Sequence, residues 1–391
     1  MKKALKTLLA IILFISVVAA VVPCKTITQE EPSASESPSV HVLTHSYEEH
    51  STDSTFHIHY IDVGQADAAL VECDGHYMLI DGGNQSDSDK IYSILKQEEI
   101  KHLDMVIGTH AHEDHIGGLP GALNYAKADV ILCPVAEYDS EAFRDFVTYA
   151  YKNGPGICVP SAGAEYKLGS ASIKILGVNS GSDTNDTSIV LKIRYGNTAF
   201  LFTGDAERDT EQVILDAGYD LSATVLKVGH HGSDTSTTYP FLREIMPAYA
   251  VISVGNGNSY GHPIDHTLSR LRDAGVTVLR TDLQGDIYCT SNGEHVTFTT
   301  EYAADDNDST TAGILNIPNP APATPEIKYE TETADPISEE CAYILNTNTK
   351  KFHYPACKSV KQMKEKNKQE YTGIREEVID MGYDPCGNCH P

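Results

Sequence analysis

Three histidines and an aspartate fall within six residues in the run Thr109-His-Ala-His-Glu-Asp-His-Ile-Gly-Gly-Leu119. His110, His112, Asp114 and His115 offer imidazole nitrogens and a carboxylate together, a donor mixture suited to zinc, manganese or iron. A solvated histidine-rich loop has no need of this H-x-H-x-D-H spacing. A second set lies at the other end of the chain. His353 and Cys357 are four residues apart, and Cys386 and Cys389 form a C-x-x-C pair. Together they make a Cys₃His tetrahedral set suited to one structural Zn²⁺, with Cys341 or His390 as alternatives to His353. In an oxidising compartment, a disulfide between two of these cysteines is the competing arrangement.

The first set must be aimed by what precedes it. Met105-Val-Ile-Gly-Thr109 reads as a short buried strand. Side chains alternate along a strand, so His110 and His112 leave its end on one side. Asp114 and His115 follow where the chain turns, and Gly117-Gly118 let backbone come close. Around this loop, strand-like runs alternate with helical ones. Strands are expected at 56–63, 67–73, 76–81, 104–109, 129–133, 171–178, 187–195, 198–203, 223–228, 249–254, 276–280 and 286–299. Helices are expected near 88–99, 118–126, 140–152, 207–217, 238–245 and 265–274, the last capped by Asp265. Periodicity by itself gives an α/β or α+β domain.

A chain of 391 residues has room for two domains and tails. Lys2, Lys3 and Lys6 precede the apolar run Leu8–Val22, so residues 1–24 read as a signal peptide or membrane anchor. The run is short for a membrane span. Cleavage after Ala20 fits, while Pro23 makes Cys24 a poor lipoprotein cysteine. The protein is therefore expected outside the cytoplasm, secreted or surface-attached, touching a membrane only through this segment. Residues 25–54 are rich in Ser, Glu, Pro and Thr and residues 301–339 are acidic and Pro-rich, so both read as flexible linkers. That leaves a main domain over 55–300 and a small one over 340–391. A net charge of −26 argues against bulk attraction to nucleic acid. The lysines from Lys350 to Lys368, opposed only by Glu365, nevertheless make the tail locally basic and able to seat a phosphate backbone. Of nine cysteines, Cys73, Cys133, Cys158 and Cys289 are scattered, and buried thiols suit them as well as disulfides.

The H-x-H-x-D-H loop resembles the metallo-β-lactamase superfamily, and further runs narrow the match. Phe56-His-Ile-His-Tyr-Ile-Asp-Val-Gly-Gln-Ala-Asp-Ala-Ala69 looks like its opening strand and turn, and Met78-Leu-Ile-Asp-Gly-Gly83 like its next strand. Ala199-Phe-Leu-Phe-Thr-Gly-Asp205, Leu226-Lys-Val-Gly-His-His-Gly-Ser233 and Asn258-Ser-Tyr-Gly-His-Pro263 complete the pattern, which is similar to the soluble domain of ComEC-type DNA-uptake proteins. The resemblance implies an α/β fold, the αββα metallo-β-lactamase sandwich, plus the small C-terminal zinc-binding module. That module resembles the one in Ada-type DNA-repair proteins, including a helix over Ser359–Lys368 and a Gly-Tyr-x-Pro-Cys ending. It departs from that pattern by carrying His353 where a cysteine is usual and little of the Arg-rich surround.

Carried over by motif, the resemblance implies two divalent metal ions, Zn²⁺ or Mn²⁺. His110 and His112 would hold one, Asp114 and His115 the other, with Asp205 bridging. His230 or His231 would complete the second site, and His230 is preferred because it directly follows its strand, leaving His231 near the substrate. Asp81 would brace the histidine loop. Ser233, the amides around Gly232 and His262 are candidates to orient a phosphate, so Asp114, His231 and His262 are the expected catalytic groups. One departure concerns the first site, which usually takes a third histidine. No histidine occurs between His115 and His230, and Asn179–Ser188 offers only hydroxyls, amides and the carboxylates of Asp183 and Asp186. Such a site should hold its ion more weakly and favour manganese.

With the N-terminal segment, these groups suit a secreted or surface-attached metal-dependent hydrolase, and the resemblance to ComEC-type domains implies a phosphodiesterase, in particular a DNase. A metal pair acidifies bound water and neutralises charge on a phosphoryl oxygen. Two other functions stay open: a lactone or β-lactam hydrolase on the same scaffold, and a non-catalytic surface DNA-binding protein. DNA is the expected partner, and no protein partner follows. The tail is expected to stand apart across its linker and to add DNA affinity rather than chemistry.

Overall fold

The computed structural model describes residues 54–302 apart from Ser182, and residues 341–389 apart from Ala356, Ile374, Gly387 and Asn388. The N-terminal apolar segment, nearly all of both linkers and His390 lie outside the described residues. Among the described residues, no helix is long and apolar enough to cross a membrane.

Period-two alternation builds two sheets. The strands are β1 (Phe56–Tyr60), β2 (Ala68–Cys73), β3 (His76–Gly82), β4 (His102–Ile107), β5 (Lys127–Leu132), β6 (Glu165–Leu168) and β7 (Ala171–Gly177). They continue as β8 (Val190–Tyr195), β9 (Thr198–Phe202), β10 (Val225–Lys227), β11 (Tyr249–Ile252), β12 (Thr277–Arg280), β13 (Ile287–Ser291) and β14 (Val296–Thr300). One sheet has the order β14-β13-β1-β2-β3-β4-β5 and the other β12-β11-β10-β9-β8-β7-β6. Phe56, Ile58 and Tyr60 of β1, Met78 and Ile80 of β3, Ile193 of β8, and Phe200 and Phe202 of β9 meet between the sheets. Phe56 stacks on Tyr195 and Phe200 with ring centroids 5.1 and 4.8 Å away. Truncating such a ring to alanine costs about 3–5 kcal/mol.

Intervening side chains face outward onto helices. Leu79, Leu103 and Val106 lie under α1 (Ser88–Gln97), α3 (Leu119–Tyr125) and α4 (Glu141–Asn153), while α2 (Glu113–Ile116) carries the histidine loop. Leu201, Ala250 and Ile252 lie under α5 (Arg208–Asp216), α6 (Tyr239–Ile245) and α7 (Asp265–Asp273), and α8 (Thr281–Gln284) precedes the last hairpin. The layers are α-β-β-α, as expected.

The differences from expectation are local. The run 286–299 is two strands, because Asn292-Gly293 turns the chain and Asn292 Oδ1 accepts the N–H groups of Glu294 and His295. Asp265 does not cap α7. Ile264 holds that position without a side-chain bond, and Asp265 sits in the first turn, where its charge favours the positive helix end. Cys73, Cys133 and Cys289 are buried thiols, whereas Cys158 is disulfide-bonded.

The tail forms a third sheet, β17-β15-β16-β18, from β15 (Cys341–Asn346), β16 (Lys351–His353), β17 (Lys368–Gly373) and β18 (Asp384–Pro385), with α9 (Lys358–Gln362) and α10 (Arg375–Asp380). The helix expected over 359–368 ends at Gln362, and Met363 is already extended. The Lys-rich run beyond it has no apolar stripe to extend the α-helix; only a 3₁₀ turn over Glu365–Asn367 follows, and Lys368 onward pairs with β15 instead. Nor does the tail stand apart. Tyr239 of α6 packs against its core of Tyr343, Leu345, Phe352 and Val378, and ion pairs join Lys351 to Asp234 and Asp384 to Arg208 and Arg270.

Candidate metal centre

Strands β3 and β4 run parallel, as do β9 and β10. Their C-terminal ends therefore present Asp81, His110, Asp205 and His230 at one edge of the sandwich. Asp205 is the hub. Its Oδ1 lies 3.3 Å from His115 Nε2, and its Oδ2 lies 3.8 Å from Nε2 of His110, His230 and His231. His231 Nε2 is also 3.3 Å from Asp114 Oδ2. One donor atom from each of Asp114, His115, Asp205 and His231 lies within 4.8 Å of the others. His112 stands beside this group, with Nδ1 3.0 Å from His110 Nε2.

The loop is braced from beneath. Asp81 accepts the Thr109 N–H at 2.7 Å, the Thr109 hydroxyl at 2.8 Å and His115 Nδ1–H at 2.9 Å. It does so from a left-handed backbone, φ 58°. Gly118 allows the close approach, because a Cβ there would stand 1.9 Å from the Gly82 carbonyl oxygen. On the other side, His231 Nδ1–H donates to the Ser253 carbonyl at 3.0 Å.

The two adjacent histidines take the opposite places to those expected. His231 has a side chain 2% exposed and joins the donor cluster, whereas His230 is 23% exposed and turns Nδ1 to Glu207 at 3.2 Å. Both have left-handed backbones, φ 49° and 52°, so strand alternation does not carry across them. His262 flanks His230 at a ring separation of 5.7 Å. Ser233 is tied to Thr235 within its own loop. In the Asn179–Ser188 segment, Asp186 is occupied by the Glu207 N–H and the Thr210 hydroxyl, while Ser188 Oγ accepts the Asp205 N–H. No nitrogen ligand comes from there.

Sequence reading missed Asp67 and Lys227. Lys227 Nζ donates to Asp67 Oδ2 at 2.8 Å, and Asp67 Oδ1 lies 3.3 Å from His231 Nδ1. A signal existed, since a lysine inside an apolar strand and an aspartate between alanines are charges that need partners when buried.

Burial opposes charge throughout this centre, but the neighbours decide. Burial alone would lower His231, yet Asp205 and Asp67 push its imidazole up to about 10. His115 is raised in the same way, by Asp205 and Asp81 against burial. For His110, burial and the adjacent His115 act together and hold it well below the ordinary value. Burial would raise Asp205, but His115 and His231 outweigh it and keep the carboxylate ionised.

The donors fit a divalent cation. His115 Nε2, His231 Nε2 and Asp205 Oδ1 are buried without hydrogen-bond partners, a rare and costly state for polar atoms. The other nitrogen of each histidine already donates, to Asp81 and to Ser253, and this fixes the ligating tautomer. Protons and cation would compete for the same nitrogens, so loading should release protons. In the tail, His353, Cys357, Cys386 and Cys389 likewise gather within 4.8 Å, His353 Nδ1 is an unpartnered buried atom, and the three cysteines are thiols. That set fits a structural zinc.

Residues 61–256, which include the main-domain cluster of Asp114, His115, Asp205 and His231, match the family model of the metallo-beta-lactamase superfamily. The chain belongs to that superfamily. Its metallo-beta-lactamase domain is similar to ComE operon protein 3 of Bacillus subtilis, 30% identical over 247 residues, covering 58% of this chain and 32% of that protein. It is also similar to Competence protein ComA of Neisseria gonorrhoeae, 29% identical over 226 residues, 57% of this chain and 30% of that one. The chain thus spans about a third of the length of these curated relatives. Among solved structures, the metallo-beta-lactamase fold protein YhfI from Bacillus subtilis is 14% identical with a TM-score of 0.43, over 61% of this chain and 100% of that one.

Proposed function

We propose that the protein is a metal-dependent phosphodiesterase that cleaves DNA outside the cytoplasm, secreted or held at the cell surface. The observation that carries this reading is the convergence of unpartnered His115 Nε2, His231 Nε2 and Asp205 Oδ1, with His110 and His112 alongside. Divalent cations bound there, Zn²⁺ or Mn²⁺, would acidify water and neutralise phosphoryl charge. The protein's own groups do the rest. Asp81 and the Ser253 carbonyl hold two imidazoles in register, and Asp205 faces both halves of the site. At the rim, burial, followed by the His230 and His231 charges, brings His262 down to about 4. It is therefore neutral at pH 7, free to hydrogen-bond a substrate oxygen. The lack of a third histidine leaves the first half a weaker site and favours manganese there. DNA as substrate is supported by the competence relatives and by the exposed Lys358, Lys361, Lys364 and Lys366 of the tail. The basic and apolar N-terminus supports the location.

The test is an assay of the purified full chain with Mn²⁺ or Zn²⁺ on single- and double-stranded DNA, bis(4-nitrophenyl) phosphate and nitrocefin. DNA and the diester should be hydrolysed, with stimulation by added Mn²⁺. Asp114→Ala and Asp205→Ala should each lose roughly 100-fold or more while melting like the unaltered protein. Near-normal turnover with full metal content in both variants would sink the metal centre, and turnover of nitrocefin alone would move the function to β-lactam hydrolysis.

A further inference from the structure

We propose that the C-terminal tail is a positioning element of the metal centre, acting chiefly through Asp384. The inference rests on reading that centre as a metal site, but on no particular substrate. Asp384, 2% exposed, lies at the start of β18. Its Oδ2 accepts from Arg208 Nη2 at 2.6 Å and from Arg270 Nη1 at 3.2 Å. Arg208 Nη1 also donates to the Gly382 carbonyl at 3.0 Å. Both arginines belong to the main domain, and both hold the loop that follows His231. Arg270 Nη2 donates to the Ser236 carbonyl at 2.8 Å, and the Arg208 backbone N–H donates to the Thr235 carbonyl at 3.0 Å. Glu207, next to Arg208, takes His230 Nδ1. Lys351 of β16 adds a direct link, Nζ to Asp234 Oδ2 at 2.7 Å.

The tail therefore grips Asp234 directly and Ser236 through the Arg270 guanidinium, and it holds the side chain of Arg208, whose backbone N–H bonds Thr235. That loop has reason to be gripped. It starts from two consecutive left-handed non-glycine residues, which persist only where the surroundings over-determine them. His231 must also keep Nε2 among the donors, where an error of about 1 Å is enough to spoil a site. Among the described residues, Tyr239 is the main-domain side chain that joins the tail's apolar core, and much of the remaining seam is polar. A cavity of about 880 Å³ opens between α7 and the tail, lined in part by Arg270, Lys351, His353 and Asp384. Docking then depends on the ionic clamps. Those clamps also adjoin the cysteine cluster, since Cys386 follows Asp384 by two residues and His353 follows Lys351 by two.

The test measures Mn²⁺ affinity of the full chain by calorimetry, with the thiolate cluster of the tail first loaded by one equivalent of Zn²⁺ per chain and no excess, together with kcat and KM for bis(4-nitrophenyl) phosphate. Asp384→Asn should weaken Mn²⁺ binding roughly 10–100-fold and lower kcat with little change in KM. Asp384→Glu, with the cavity to expand into, should restore most of the loss, and Lys351→Met should give a smaller loss in the same direction. A protease site placed within residues 303–339 separates docking from folding when the released tail is checked for retained Zn²⁺. After cleavage the tail should co-elute with the main domain, and in Asp384→Asn it should separate. Mn²⁺ affinity unchanged in both Asp384→Asn and Lys351→Met, or equal to that of the unaltered protein in Asp384→Asn after its cleaved tail is washed away, overturns the proposal. If no diester is hydrolysed while Mn²⁺ affinity still responds to Asp384, the phosphodiesterase reading fails and the positioning role stands.

Discussion

His230 and His231 are neighbours in sequence with different surroundings in the fold. His231 spends Nδ1 on the Ser253 carbonyl and points Nε2 at Asp114 and Asp205, while His230 leans on Glu207 at the surface. His231→Ala should therefore cost the second ion, roughly 100-fold in affinity, whereas His230→Ala should cost only a few-fold. Elemental analysis and metal titration of the two variants check this, and equal losses would count against the assignment. At this scale the H-x-H-x-D-H loop was legible because its spacing alone brings the donors together. The choice between His230 and His231 was not, because two left-handed residues undo the alternation on which such a choice depends. The Asp67–Lys227 pair joins positions 160 residues apart, beyond the reach of any local pattern.

Strands and helices of the main domain were legible to within a few residues, because each buries one face and exposes or shares the other. What escaped were pieces too short to show a period: β6, α2 and α8 have four residues each. The contacts that join elements also escaped. Asp286, just before β13, accepts from His59 Nε2 of β1 at 3.0 Å and from the Asp62 N–H at 2.7 Å, with Lys90 of α1 at 3.4 Å. Burial pushes its carboxyl up, but the His59 and Asp62 bonds outweigh that and hold it at about 2. Its folded value thus lies below the unfolded one of about 3.9. The stability it contributes is present above pH ~4 and is lost as pH falls toward ~2. Asp286→Asn should remove about 1–2 kcal/mol at pH 7 and flatten the acid limb, as read by urea unfolding between pH 7 and 3. An acid limb identical to that of the unaltered protein would take Asp286 out of the account.

Over the whole molecule, composition marked where the tail begins, but not that it docks. Single residues such as Asp384 and Lys351 carry no sequence signal for a partner in another domain. The tail carries an exposed basic run, Lys358, Lys361, Lys364 and Lys366, on a chain of net charge −26. Replacing the exposed Lys358, Lys361, Lys364 and Lys366 by glutamate should weaken binding to long DNA and reduce its salt dependence, by up to roughly 0.9 in slope for each lost phosphate contact. Turnover of a small diester should not change, and anisotropy titrations at several salt concentrations decide the matter. Identical binding at every salt would assign the patch another role. The cysteine cluster carries a different consequence. The sulfurs of Cys357 and Cys386 lie 3.9 Å apart, so little movement separates them from a covalent bond. If a resident ion leaves in an oxidising medium, a disulfide can close behind it and bar re-entry until it is reduced. Chelation in air should then yield a protein lighter by about two mass units that refuses zinc until thiol is added. Loss of the ion is then undone only by reduction, and the tail keeps a chemical memory of having been emptied.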